Sequence, residues 1–372
     1  MKQIKLPVGL RDSFSKTCTN KKNLQAKIEH IFETYGYQMI ETPAIEYYQT
    51  YCKAFETLEE KNMYKFFDQE GEILTLRMDM TVPIARAITY HTQKEKTPIR
   101  LRYCADVYTV TQSFAGKRNE VTDCGIELIG LDEQSDIEVL TCALDTMRCL
   151  QSQSYIVEIG NVQFFTNACD ALQLKNEVRI QLADLIDRKS MVELEEYITE
   201  LDLPKKAKNF FLQLPLLAGK ERILDLAYDI SFTDELKKIV LELKNIYKQC
   251  KELGYEKEVT FDFGKVPHLN YYTGIIFEGF IQGIGSAVLS GGRYDHLLEK
   301  FGPAKPACGF SVKLDEIVDQ MQEETRQKRI RIYYDHKDQM QALKLAAEKR
   351  KTFIVELIPK HGCDIQIEEV DA

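Results

Sequence analysis

Apolar residues along this chain recur in two regimes, at every second position or at every third to fourth, and the order of those regimes predicts its architecture. The leader Leu6-Pro7-Val8-Gly9-Leu10-Arg11-Asp12 carries Pro and Gly and reads as an extended arm with a turn, irregular to about Asn20. From Asn20 to Tyr35, Leu24, Ile28, Ile31 and Phe32 share one stripe, which predicts a helix that Gly36 stops. Tyr37 to Pro43 reads as a short strand ended by proline, and a strand over Ile73 to Arg77 follows the acidic turn at Gly71. Thr81, with Pro83 two residues on, predicts a helix start capped by Thr81 and continued by Ile84 and Ile88. Asp79 and Thr81 then fall at a strand-to-helix junction, where backbone donors are free and side chains can face a ligand. A cap without a ligand would use the same residues.

The segment Tyr103 to Gly130 predicts a hairpin, with Tyr103, Ala105 and Val107 alternating on the outgoing strand, a polar loop at Gly116 and a returning strand from Val121 to Ile129. On the returning strand Asp123, Gly125 and Glu127 share a parity, so both carboxylates point to one face with a side-chain-free position between them. That pattern fits the floor of a pocket for a small cationic ligand, and equally a solvated strand face.

Beyond the hairpin, Ser135 to Leu150 reads as a helix with Ile137, Leu140, Leu144 and Met147 as its core stripe, and Tyr155 to Ile159 as a buried strand. Lys-, Glu- and Leu-rich helical periodicity then runs to Gly254, before strands resume at Val259 to Phe263. Gly291-Gly292 serves either a close backbone approach or a tight strand-to-helix turn. Cys308 to Val312 reads as a strand and Lys313 to Glu323 as a helix. From Arg329 a strand, a helix and two further strands follow, too few residues for a domain of usual size. The expected division is 1–160, first part of a core; 161–254, an inserted helical domain; 255–325, second part of the core; and 326–372, a short strand-helix-strand remnant.

Composition narrows the class. At 372 residues, 44% apolar and 29% charged, the chain is an ordinary globular one with room for two or three domains. A net charge of −9 and a pI near 5.4 argue against a surface built for polyphosphate, since nucleic-acid affinity rests on Lys and Arg. Ten cysteines, without a Cys-x-x-Cys pair or a His at metal-ligand spacing, read as reduced thiols of a cytosolic protein. No apolar run is long enough to span a bilayer, and the first residues lack a signal-peptide core, so a cytoplasmic location is expected.

Taken together, these motifs resemble histidyl-tRNA synthetase and its paralogues over about residues 1–325. Tyr37 to Pro43 resembles the first class II motif, Leu76-Arg77-Met78-Asp79-Met80-Thr81 the family's Leu-Arg-Pro-Glu-x-Thr, and Tyr108 to Gly130 the second motif. Leu269 to Gly274 and Gly291 to Asp295 resemble the two signatures peculiar to the histidine enzymes, and Gly309 to Ile317 falls where the third motif belongs. The resemblance implies an α+β fold of the class II aminoacyl-tRNA synthetase type, an antiparallel sheet flanked by helices.

It also implies a division of the site. The positions that grip ATP are Thr109, Thr111 and Glu316 here, and the Arg that promotes adenylation falls on Pro267. Adenylate formation rests on fixed cations around the phosphorus, and losing one such group commonly costs ~10²- to 10³-fold in rate. The anticodon-binding domain would need more chain than follows Arg329. By contrast the resemblance places the ligand's α-amino group at Asp79, Thr81 and Asp123, and its imidazole at Glu127 and Tyr272 with Tyr294 nearby. A carboxylate on one ring edge and a phenol on the other is a chemically sensible histidine reader.

Such a body looks like the ATP phosphoribosyltransferase regulatory subunit family, non-catalytic paralogues of the synthetase. The resemblance implies a homodimer that joins a short-form ATP phosphoribosyltransferase catalytic subunit into a hetero-octamer, with L-histidine as effector, sensed at this chain or else at the partner or the interface; no cofactor is expected, and charge and hydropathy argue against nucleic acid and membrane as partners. The alternatives from other classes are a divergent stand-alone ligase forming amino-acid adenylates and an RNA-binding dead synthetase.

Overall fold

The computed structural model describes residues 5–55, 58, 60–91, 98–110, 118–150, 154–266, 271–321 and 328–370. The chain divides into two compact units, Met1–Gln320 and Met321–Ala372.

The first unit is built on a mixed sheet that has nine strands among the described residues. Its middle six are antiparallel, in the spatial order Ile99–Tyr108, Glu120–Ile129, Ala307–Lys313, Leu289–Arg293, Ile275–Ile281 and Tyr155–Asn161. Gln38–Met39 adds in parallel at one edge, and Val259–Asp262 followed by Ala218–Gly219 at the other. The expected hairpin is present, with Tyr103 opposite Gly125 and Leu101 opposite Glu127. Strand Glu120–Ile129 also pairs with Ala307–Lys313, which sets Gly309 opposite Glu127, Ser311 opposite Gly125 and Lys313 opposite Asp123.

Period two divides this surface into two faces. Cys124, Ile126 and Leu128 are buried on one face, with Phe310, whose ring meets Phe32 edge-on at 5.7 Å. Phe32, with Leu24 and Ile28, is the buried stripe of helix Ser15–Thr34, which begins five residues before the stripe alone predicts. Helix Asp136–Cys149 covers the same sheet with Val139, Leu140, Ala143 and Met147. The other face carries Asp123, Gly125 and Glu127, then Gly309, Ser311 and Lys313.

Six helices, Val162–Ala171, Asn176–Asp187, Met191–Glu200, Lys205–Gln213, Arg222–Ile230 and Asp234–Glu252, fill the interval where helical periodicity dominates. Phe164, Phe210, Phe211 and Phe232 make a ring cluster there, and Phe164 lies 4.7 Å from Phe263 at the end of the neighbouring strand. All of it lies within the first compact unit. The second unit has parallel strands Arg329–Tyr334 and Ile354–Pro359, joined by helix Gln339–Lys349, with Gln366–Val370 antiparallel on the other edge. Ile332, Tyr334, Ala342 and Ala346 are its core. No helix among the described residues is long and apolar enough to cross a membrane.

Of the two readings open for Gly291-Gly292 the turn is not taken: the pair lies mid-strand opposite Phe310 and Gly309, and a Cβ on Gly291 would collide with Phe310. Two sequence expectations are corrected. The helix after Ala307–Lys313 is short, Leu314–Val318. Ten reduced thiols were expected, but Cys104 and Cys124 are joined in a disulfide, because strand register sets them directly opposite each other. The other eight cysteines are free.

Arg293 ends strand Leu289–Arg293 and is 1% exposed. Its guanidinium donates to Asp136 at the start of the covering helix (Nε 2.9 Å), to Asp295 (2.8 Å) and to the Asp132 carbonyl (2.7 Å). Removing one partner of a buried pair strands the other charge, which costs about 3–5 kcal/mol. Arg293→Met is expected to lower the stability of the first unit by that order, read from urea denaturation. A loss below about 1 kcal/mol, the median for an exposed pair, would contradict the buried clamp.

Candidate functional site

A cavity of about 230 Å³ opens on the face that carries Asp123, Gly125 and Glu127. Its floor needs two glycines. A Cβ at Gly125 would run into the Phe310 carbonyl and the Tyr103 hydroxyl, and one at Gly309 would occupy the space of the Glu127 carboxylate. With those positions bare, the Glu127 side chain folds in between the strands and is 1% exposed.

One wall is the strand-to-helix junction. Arg77 is buried and fixes it, donating from Nε to the Asp106 carbonyl and from Nη1 to the Thr42 carbonyl, both at 2.7 Å. The cap expected at Thr81 falls instead on Asp79. Asp79, not Thr81, caps helix Thr81–His91, accepting from the Val82 N–H at 3.1 Å. Thr81, freed from capping, donates its hydroxyl to Glu127 Oε1 at 2.8 Å. Across the cavity the Tyr294 hydroxyl donates to the other oxygen of Glu127. Tyr272 lies against Tyr271 with ring centres 4.5 Å apart and the rings tilted by 41°, and Tyr271 meets Tyr294 at a right angle.

Asp79, Thr81, Asp123, Glu127, Tyr272 and Tyr294 all line this one cavity, and Thr109 lines it too. Glu316 is not among the lining residues; its carboxylate accepts from the Ser286 hydroxyl. Thr111 and Pro267 lie outside the described residues. Sequence reasoning missed Tyr103, Ser311 and Lys313, which also line the space. Their signal is strand register, since each lies opposite a residue of the Asp123–Glu127 row, or next to one that does.

Residues 9–317 match the family model described as histidyl-tRNA synthetase. The ATP phosphoribosyltransferase regulatory subunit of Bacillus thuringiensis (strain Al Hakam) is 36% identical over 321 residues, 86% of this chain and 76% of that protein. The chain belongs to the ATP phosphoribosyltransferase regulatory subunit family. A crystal structure described as an ATP phosphoribosyltransferase regulatory subunit/histidyl-tRNA synthetase from Bacillus halodurans is similar at a TM-score of 0.86 and 30% identity, over 96% of this chain and 93% of that one. Histidyl-tRNA synthetase from Nostoc sp. PCC 7120 reaches a TM-score of 0.77 at 19% identity, over 96% of this chain and 86% of that one, which shows a shared fold. The family and the fold expected from the sequence are both found.

In this member of the regulatory-subunit family, three carboxylates line one cavity. Burial pushes the Asp79 carboxyl up to about 6, Asp123 to about 7 and Glu127 to about 8, and the charges of their neighbours add to each rise. Hydrogen bonds oppose the rise: the Val82 N–H at Asp79, and the Tyr294 and Thr81 hydroxyls at Glu127. Asp123 is helped by Lys313 and Ser311, yet its Oδ1 is buried with no hydrogen-bond partner. Buried carboxylates without full partners favour a ligand that brings positive charge and N–H donors. Among the described residues no group of three or more His, Cys, Asp or Glu is placed to hold a metal ion.

A carboxyl whose folded-state pKa lies above its unfolded value near 4 stabilises the fold while protonated, and that contribution is lost as pH rises through the folded value. The unliganded protein is therefore expected to lose stability between about pH 5 and pH 8, the upper part of the loss belonging to Glu127. Glu127→Gln should flatten that upper part, checked by melts of both proteins across the range. Parallel profiles would contradict the assignment.

Proposed function

We propose that this chain is the non-catalytic regulatory subunit of an ATP phosphoribosyltransferase complex, which joins a short-form catalytic subunit, supports the first step of histidine biosynthesis and receives L-histidine as feedback effector in the cavity. The observation that carries the reading is the cavity itself, where Asp79, Asp123 and Glu127 converge with Tyr272 and Tyr294 in one buried space. Histidine matches it through its ammonium and its imidazole. Its ammonium suits Asp79 and Asp123, and an imidazole N–H suits Glu127, with a tyrosine on the far edge of the ring.

The nucleotide end supports the absence of adenylation. Thr109 stands in the cavity where a phosphate-gripping cation is needed, and Glu316 lies outside it, bonded to Ser286. Lys313 is the one cation among the described lining residues, and it sits at the Asp123 end. Phosphoryl chemistry without preorganised cations forfeits the main source of transition-state stabilisation.

Self-association has a surface to use. Ile45, Tyr47 and Phe67 are 47%, 54% and 72% exposed on the small sheet formed by Ile45–Tyr47, Ile73–Leu76 and Lys65–Phe67, close in sequence to the first-motif segment. A homodimer through this region, in the cytoplasm and without nucleic acid, completes the reading. Feedback then requires that histidine bind the active and inhibited arrangements of the complex with different affinity, and by reciprocity the partner's substrates must change histidine affinity.

Adding the purified chain to a short-form phosphoribosyltransferase that is poorly active alone should raise phosphoribosyl-ATP formation, and histidine should suppress the gain. Glu127→Ala is expected to keep the activation and weaken histidine inhibition about 10- to 100-fold, the factor of one charge-assisted hydrogen bond. No activation, or unchanged inhibition in the variant, would contradict the proposal.

A further inference from the structure

Lys313 is the last residue of strand Ala307–Lys313 and lies directly opposite Asp123 on Glu120–Ile129. Directly opposed residues share a face, with Cβ atoms about 5 Å apart. A lysine and an aspartate so placed are expected to close into a salt bridge. Here they stay apart. Among the described residues Lys313 makes no ion pair within 4 Å and its amine no hydrogen bond, while Asp123 is 9% exposed and its Oδ1 has no partner. Both side chains line the cavity, so the two opposite charges stand side by side and open toward the same space.

An α-amino acid carries the matching pair, an ammonium and a carboxylate on one carbon. The strand rise of about 3.4 Å per residue puts Asp123 and Lys313 at one end of the row and Glu127 with Gly309 about 13 Å along it at the other. Tyr103 and Ser311 flank the bare position between them. The Asp123, Lys313 and Glu127 side chains reach from those two ends into the one cavity, so a ligand whose side chain meets Glu127 turns its α-carbon groups toward the Asp123–Lys313 pair.

We infer that Lys313 is the carboxylate anchor of this cavity, and that with Asp123 it forms a receptor for the amino-acid zwitterion, selecting histidine over the corresponding amine. The inference rests on the reading that histidine occupies the cavity, and it assigns a residue to the one group of histidine which the carboxylates and tyrosines leave unpaired. Lys313 is also the only lining cation among the described residues, so a ligand carboxylate has no other cationic partner there.

The test uses calorimetric titration of the full chain with L-histidine and with histamine, which keeps the imidazole and the ammonium and lacks the carboxylate. Lys313→Met is expected to weaken histidine about 10- to 100-fold and to leave histamine unchanged or tighter, because a repelling charge has gone. Lys313→Arg should recover most of the histidine affinity. Equal weakening of both ligands, or unchanged histidine affinity in Lys313→Met, would overturn the anchor while leaving the cavity as the histidine site. Failure of the unaltered chain to bind histidine, alone and with the catalytic subunit, would overturn the cavity reading and this inference together.

Discussion

The Glu127 carboxylate is the interaction on which the rest of the site depends. It is buried, it has no cation against it among the described residues, and it is held by hydroxyl donors from two distant segments, Thr81 at the strand-to-helix junction and Tyr294 beyond the Gly-Gly strand. Its place exists only because Gly309 opposite has no side chain. The junction is set by Arg77, and Tyr294 follows directly on Arg293, itself clamped to Asp136. Three parts of the chain are thereby brought to bear on one carboxylate whose ionised form the protein disfavours.

That constraint is what the proposal of sensing in place of catalysis rests on. A catalytic site for adenylation keeps fixed positive charge ready for phosphate, whereas this cavity is lined by Asp79, Asp123 and Glu127 and, among the described residues, by a single lysine opposite Asp123. Burial, with the charge of acidic neighbours, raises each carboxylate, an electrostatic cost that a cationic, N–H-bearing ligand would relieve. The relief is available as binding energy, and it biases any equilibrium in which the cavity's shape differs between two arrangements.

Much of this was legible in the sequence, through period and order. Parity on the returning strand put Asp123, Gly125 and Glu127 on one face, and the hairpin register bears that out. The hydrophobic stripe of the first helix gave Leu24, Ile28 and Phe32 correctly, although its start at Ser15 has no side-chain cap to mark it. Other features depend on pairings between remote segments, which no local period encodes. The opposition of Lys313 to Asp123, the approach of Gly309 to Glu127 and the Cys104–Cys124 disulfide all follow from strand register. The placing of the cap on Asp79 was hidden for a related reason: either residue satisfies a helix start, and only the distant Glu127 calls the Thr81 hydroxyl elsewhere.

The central claim is that the relief of these buried carboxylates is the recognition of histidine, and a crystal structure of the chain grown with L-histidine tests it most directly. The account predicts histidine within the 230 Å³ cavity, an imidazole nitrogen hydrogen-bonded to Glu127 and the ammonium between Asp79 and Asp123. Histidine bound at a surface remote from Glu127, with the cavity holding only water, would contradict it.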